Sequence, residues 1–185
     1  MKTLLKILKW TGIIVLVLII GLLIYVLTSW NKTFDAPYPD IKASADSTII
    51  ARGEYLVFGP SHCAECHTDM EGYKRAVLGE RVPLSGGYAF KLPFGTVYSK
   101  NITNDKETGI GGYTDAEIAR SIRELVKPDG HTMMPFMNYQ NMSEEDLTAI
   151  ISYLRTTEPV KKVVQENTWN LMGKAVLTFF IKPKG

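Results

Sequence analysis

Cys63 and Cys66 are the only two cysteines in this 185-residue chain, and His67 directly follows the second. No other feature restricts the fold so strongly. A disulfide framework uses more cysteines at wider spacing, because closing a short loop restrains the unfolded chain least. Cys63-Ala-Glu-Cys66-His67 is instead the C-x-x-C-H pattern of covalent c-type haem attachment. Two thiols on one short turn can add to the two vinyl groups on one edge of a porphyrin. The adjacent imidazole then falls over the iron, and its other nitrogen is expected to donate to a carbonyl or carboxylate that fixes the tautomer. A dithiol redox site would need a βαβ context that the surrounding pattern lacks. A zinc site would need a second pair of ligands, and only His62 and His131 remain.

Residues 10 to 30 read WTGIIVLVLIIGLLIYVLTSW, without a charge. About twenty such residues span the hydrocarbon core of a bilayer. Trp10 and Trp30 flank the run, where indoles settle at the interface, and Lys2, Lys6 and Lys9 precede it. The positive-inside bias puts residues 1–30 down as a cytoplasmic tail and transmembrane anchor, with everything after them on the periplasmic side of a bacterial inner membrane. A cleaved signal peptide would have a shorter apolar region and a small-x-small site, and LTSWNKTFD offers no convincing one. Beyond residue 30 stand eighteen basic and nineteen acidic side chains, a net of −1. That balance excludes a nucleic-acid footprint, which needs a clustered basic face.

Pro37 and Pro39 mark residues 31–45 as a stiff linker. Helical spacing predicts a first helix over about Asp46–Phe58, with Gly53 inside it at a cost of roughly 1 kcal/mol unless another helix approaches there. Thr114-Asp-Ala-Glu117 is a capping box opening a helix to about Val126. Ser143-Glu-Glu-Asp146 opens another, with Leu147, Ile150, Ile151 and Leu154 on one face. Between Thr68 and Tyr113 lie eight of the fifteen glycines and no sustained period. Long irregular stretches inside a domain are usually functional. Tyr88, Phe94 and Tyr98 within it are candidates to cover a flat apolar group, as ordinary core packing would also predict. The expectation is all-α, with a long Gly-rich insertion after the cysteine motif and no strand.

A second axial ligand must reach the iron from the face opposite His67, which argues against Met70. Thioether sulfur is a soft ligand, and Met133, Met134, Met137 and Met142 stand on the loop between the last two domain helices. His131 and His62 read as a loop histidine and a structural one. The stretches RGEYLVFGPSHCAECH (52–67), PFGTVYSKNITNDKETGIGGYTDAEIARSIRELVKPDGH (93–131) and MPFMNYQNMSEEDLTAIISYLR (134–155) carry a family resemblance as a set. The chain resembles the class I cytochrome c superfamily. More closely, it looks like the cytochrome c subunits of bacterial membrane-bound alcohol and sugar dehydrogenases and related dihaem cytochromes. The resemblance implies first and last helices crossing around a haem in a domain over residues 46–157. It singles out Met134, which precedes Pro135 as the family's axial methionine does. With one C-x-x-C-H, the expectation for this chain is one covalent haem c.

Residues 158–185 read as a tail with a short amphipathic helix near WNLMGKAVLTFFI, either lying in the membrane interface or packing onto the domain. The functional expectation is a one-electron carrier, not an enzyme. Its partners would be a dehydrogenase on one side and a terminal oxidase or soluble cytochrome on the other, with membrane lipid around residues 10–30. A haem with an open sixth position, serving as sensor or peroxidase-like enzyme, is the alternative.

Overall fold

The computed structural model describes residues 2–184. Helix α1, Lys2–Ser29, is the one described helix long and apolar enough to cross a membrane, and Val26 is its only buried residue. Segment 31–45 is no free spacer. Phe34 N donates to Gly130 O at 2.8 Å, Ala43 N to Asp115 Oδ2 at 2.8 Å and Ser44 N to Ser152 Oγ at 2.8 Å. Arg120 is buried, clasping Tyr38 Oη at 2.7 Å and Phe34 O at 3.0 Å. These bonds lay the segment along the domain surface.

Helix α2, Ser47–Phe58, starts where Asp46 accepts from Thr48 N and Ile49 N, relieving two of the unpaired amides of the first turn. It crosses α6, Glu144–Thr156, at Gly53. A Cβ there would lie 1.9 Å from Ala149 O, so the glycine is required by the approach of the two backbones. Leu56 and Val57 of α2 and Leu147, Ile150, Ile151 and Leu154 of α6 fill the crossing, with Ile118 and Ala119 of α5, Asp115–Arg123, against it. Full burial of each large apolar side chain contributes about 1.5–3 kcal/mol. The predicted capping box of α5 is present: Glu117 N donates to Thr114 Oγ1 at 3.2 Å and Thr114 N to Glu117 Oε2 at 2.7 Å. The helix stops short of Val126, because Leu125 takes a left-handed φ of 57°.

The Gly-rich stretch departs from expectation. Just before it lies single-turn α3, Cys63–Cys66, and it contains α4, Met70–Ala76, and a hairpin of β1, Ala89–Leu92, and β2, Gly95–Tyr98. β3, Thr168–Trp169, adds antiparallel to β2, with Gly95 opposite Trp169 and Thr96 opposite Thr168. The domain is therefore mostly helical with a three-stranded sheet, and the all-α expectation is corrected. Pro93 and Phe94 turn the hairpin. Gly95 admits the third strand, since a Cβ would meet Thr168 O at 2.1 Å.

The segment after α6 is also part of the domain. Val160 N donates to Thr103 Oγ1 at 3.2 Å, Lys162 N to Thr108 Oγ1 at 3.0 Å and Tyr98 N to Asn167 Oδ1 at 2.9 Å. Buried Asn101 organises this strap. Its Nδ2 donates to Val160 O at 2.7 Å, and its Oδ1 accepts from Thr103 N at 3.0 Å and Thr103 Oγ1 at 2.7 Å. Helix α7, Leu171–Phe179, capped by Asn170, then returns to pack beside the end of α1.

Candidate haem-attachment site

The site begins where α2 ends. Ser61 N bonds Leu56 O at 3.0 Å, and His62 adopts a left-handed φ of 47°, which reverses the chain into α3. Cys63 and Cys66 thus occupy the two ends of one helical turn, unpaired, with His67 as its C-cap. Burial, then the neighbouring Cys66, pushes the Cys63 thiol up to about 12. Burial and Glu65 raise Cys66 as well. Both sulfurs rest as thiols at neutral pH.

His67 is fixed from two directions. Its carbonyl accepts from Gly86 N at 3.0 Å, and its Nδ1 lies 2.8 Å from Lys100 O. A carbonyl only accepts, so Nδ1 carries the proton and Nε2 keeps its lone pair free. Burial lowers the imidazole's pKa below its ordinary value, against the smaller raising effect of the Lys100 carbonyl. Neutral imidazole with a free Nε2 is the metal-binding form. The carbonyl is positioned by the pairing of 84–87 with 99–102, where Ile102 N bonds Leu84 O at 2.9 Å and Gly87 N bonds Ser99 O at 2.8 Å. Gly86 permits this approach. Its φ is +69°, and a Cβ would lie 2.5 Å from the Lys100 carbonyl carbon.

The methionine loop is drawn to the same turn through Tyr139, whose hydroxyl donates to Ser61 O. Burial, then the nearby cysteines, raise that phenol to about 12. At its other end the loop is fastened by Met133 N to Leu125 O at 2.8 Å. Half-buried Met134 follows directly, and its side chain makes none of these bonds. Met142 packs against the main core, and Met70 opens α4 largely exposed. His131 Nδ1 lies 3.1 Å from Asp129 Oδ1 and His62 Nδ1 lies 2.6 Å from Glu65 Oε1, so each imidazole faces a carboxylate. Of the three aromatics, Tyr88 joins a run of rings: Tyr73 to Tyr88 at 5.3 Å, Tyr88 to Phe90 at 4.8 Å and Phe90 to Phe136 at 4.9 Å. Phe94 stacks on Trp169 instead. Neither Tyr139 nor the Lys100 carbonyl was legible in the sequence. A tyrosine in a methionine-rich loop has no distinguishing spacing, and a main-chain acceptor leaves no residue signature.

The donor set suits a porphyrin. Two unpaired thiols sit on one turn, and a neutral imidazole is oriented beside them by its outer nitrogen. No group of three or more His, Cys, Asp or Glu able to hold a bare metal ion occurs among the described residues. A mostly helical domain with this arrangement defines a c-type haem protein, built to carry electrons. Comparison agrees: a family model for cytochrome c matches residues 50–158, and the chain belongs to that family, with the covalently bound haem c it implies. Over 126 residues, 66% of this chain and 24% of the relative, it is 36% identical to the cytochrome c subunit of a quinone alcohol dehydrogenase from Gluconobacter oxydans. The cytochrome subunit of a fructose dehydrogenase from Gluconobacter japonicus is 34% identical over 123 residues, 65% of this chain and 24% of that protein. A dihaem c-type cytochrome from Cereibacter sphaeroides is 32% identical over 114 residues, 59% and 36% of the two chains. The chain thus spans about a quarter of the length of the dehydrogenase subunits it matches.

Proposed function

We propose that this chain is a membrane-anchored, single-haem electron carrier of a bacterial respiratory chain. It takes electrons from a dehydrogenase at the periplasmic face of the inner membrane and passes them towards a terminal oxidase or a soluble cytochrome. Cys63 and Cys66 would hold the haem as thioethers, and His67 Nε2 and Met134 Sδ would be the protein's ligands to its iron. When bound, the haem supplies a one-electron iron couple whose potential follows the axial ligands and their surroundings.

The observation that carries this reading is the His67 imidazole, neutral and oriented by the Lys100 carbonyl beside two free thiols. That hydrogen bond holds the ring plane and the tautomer, and it makes Nε2 more basic. Pro135 fixes the chain direction immediately after Met134. The Tyr139 bond to Ser61 ties the methionine loop to the turn that carries the cysteines. With protein ligands on both sides of the iron, such a site would exchange electrons and turn over no substrate. The relatives that are dehydrogenase subunits support a dehydrogenase donor.

The optical spectrum tests the assignment. The oxidised protein is expected to show the far-red charge-transfer band of sulfur on ferric haem iron. Met134→Leu abolishes that band, and Met133→Leu and Met137→Leu keep it. A high-spin spectrum in the unaltered protein would instead favour an open position. Purification from native membranes tests the partner, with a dehydrogenase expected to accompany the chain.

A further inference from the structure

We propose that α7 is a second membrane element: an interfacial helix whose apolar face, with the outer third of α1, contacts the acyl chains of the periplasmic leaflet. The inference rests on α1 spanning the bilayer and adds where the domain sits on it.

Depth carries it. Trp30 ends the apolar run, and Leu22 lies eight residues earlier, about 12 Å deeper along a straight helix. An open groove of about 580 Å³ between the two helices is lined by Leu22, Leu23 and Val26 of α1 and Met172, Ala175 and Phe179 of α7. Tyr25 and Phe179 face each other at 5.9 Å between ring centres. With α1 across a bilayer, α7 therefore lies below the level that Trp30 marks. The charges agree with that level. Lys174 Nζ lies over the face of the Trp30 ring, 5.2 Å from its centre, and Lys182 follows the helix, exposed. Lysines and indoles collect at the headgroups.

The exposed side chains supply the second argument. Leu171 and Met172 are each 50% exposed, Phe179 41% and Phe180 77%. Four large apolar residues within ten positions, continuous with an apolar span, form a patch that lipid covers without any further protein. Two features join α7 to the domain's sheet: β3 immediately precedes it, and Gly173 sits so close to Phe94 O that a Cβ would be 2.3 Å away. The lipid contact therefore sets the orientation of the whole domain on the membrane.

The test uses the full haem-loaded chain in nanodiscs of phosphatidylcholine and phosphatidylglycerol doped with a phosphatidylcholine bearing a diazirine at its acyl terminus. After illumination, adducts are placed by peptide mass spectrometry. Adducts are expected on α1 and on residues 171–180, and none on residues 159–167. A chain carrying Leu171→Asp and Phe180→Asp is expected to lose the adducts on α7 and keep those on α1. Labelling of α1 alone would overturn the inference and leave the anchor standing. Labelling of neither helix would overturn both. Persistence of α7 adducts in the double variant would show that its apolar face is not what lipid meets.

Discussion

His67 shows how much of this site a few atoms decide. The sequence assigns the imidazole its role because covalent attachment imposes a local spacing that survives in one dimension. What orients the imidazole for the proposed ligation is the Lys100 carbonyl 2.8 Å from Nδ1, thirty-three residues away and invisible as a pattern. Gly86 shares that fate. Gly86→Ala puts a methyl group against the Lys100 backbone at a left-handed φ, and is expected to cost about 2–3 kcal/mol in denaturant unfolding. The same variant should weaken the His67 bond and so alter the oxidised spectrum. Tyr139→Phe leaves the carbonyl of buried Ser61 without its partner. The expected loss is about 1–2 kcal/mol, read from the unfolding midpoint, with a looser methionine loop.

Among the elements, helices with caps and one apolar face were legible, and the short strands were not. α5 and α6 begin within a residue of their sequence signatures, because Thr114 and Ser143 satisfy amides only three residues away. β1 and β2 have four residues each, too few for alternation to register, and β3 joins them from the far side of α6. Four-residue α3 and seven-residue α4 fall below the length at which a helical period can be recognised. Gly53 was legible as a puzzle and is answered by α6. Gly53→Ala should drive α2 and α6 apart and cost about 3 kcal/mol, measured by thermal or denaturant unfolding, since the obstacle is the Ala149 main chain. An exposed substitution such as Glu71→Ala, with its solvent-exposed ion pair to Lys74, is expected to stay within about 0.5 kcal/mol.

Across the whole molecule, acid stability follows from several carboxylates that cap turns and helices. The Thr48 hydroxyl holds Asp46 below its ordinary 3.8, the Gly72 amide does so for Asp69 and the Thr108 hydroxyl for Asp105. Each folded pKa is lower than the unfolded one, so the unfolded chain binds more protons in acid. Their stabilisation is complete above the unfolded value and is lost as pH falls through the depressed values. The melting temperature is therefore expected to drop most steeply below about pH 4, and Asp105→Asn should flatten part of that drop. An unchanged profile in the variant would remove Asp105 from this account.

Electron transfer was legible to the extent that it rests on the cysteine pair, and the apolar run was legible as the long helix α1. The packing of α7 against α1 was not legible, because it joins residues separated by most of the chain length. Everything assigned to the chain depends on one haem joined to Cys63 and Cys66. The most direct measurement is the intact mass of the full chain from a host that matures c-type cytochromes. The expected result is a coloured protein heavier by one haem, the addition mapping to the peptide of Cys63 and Cys66 and lost when both become serine. A colourless chain of unaltered mass would contradict the account.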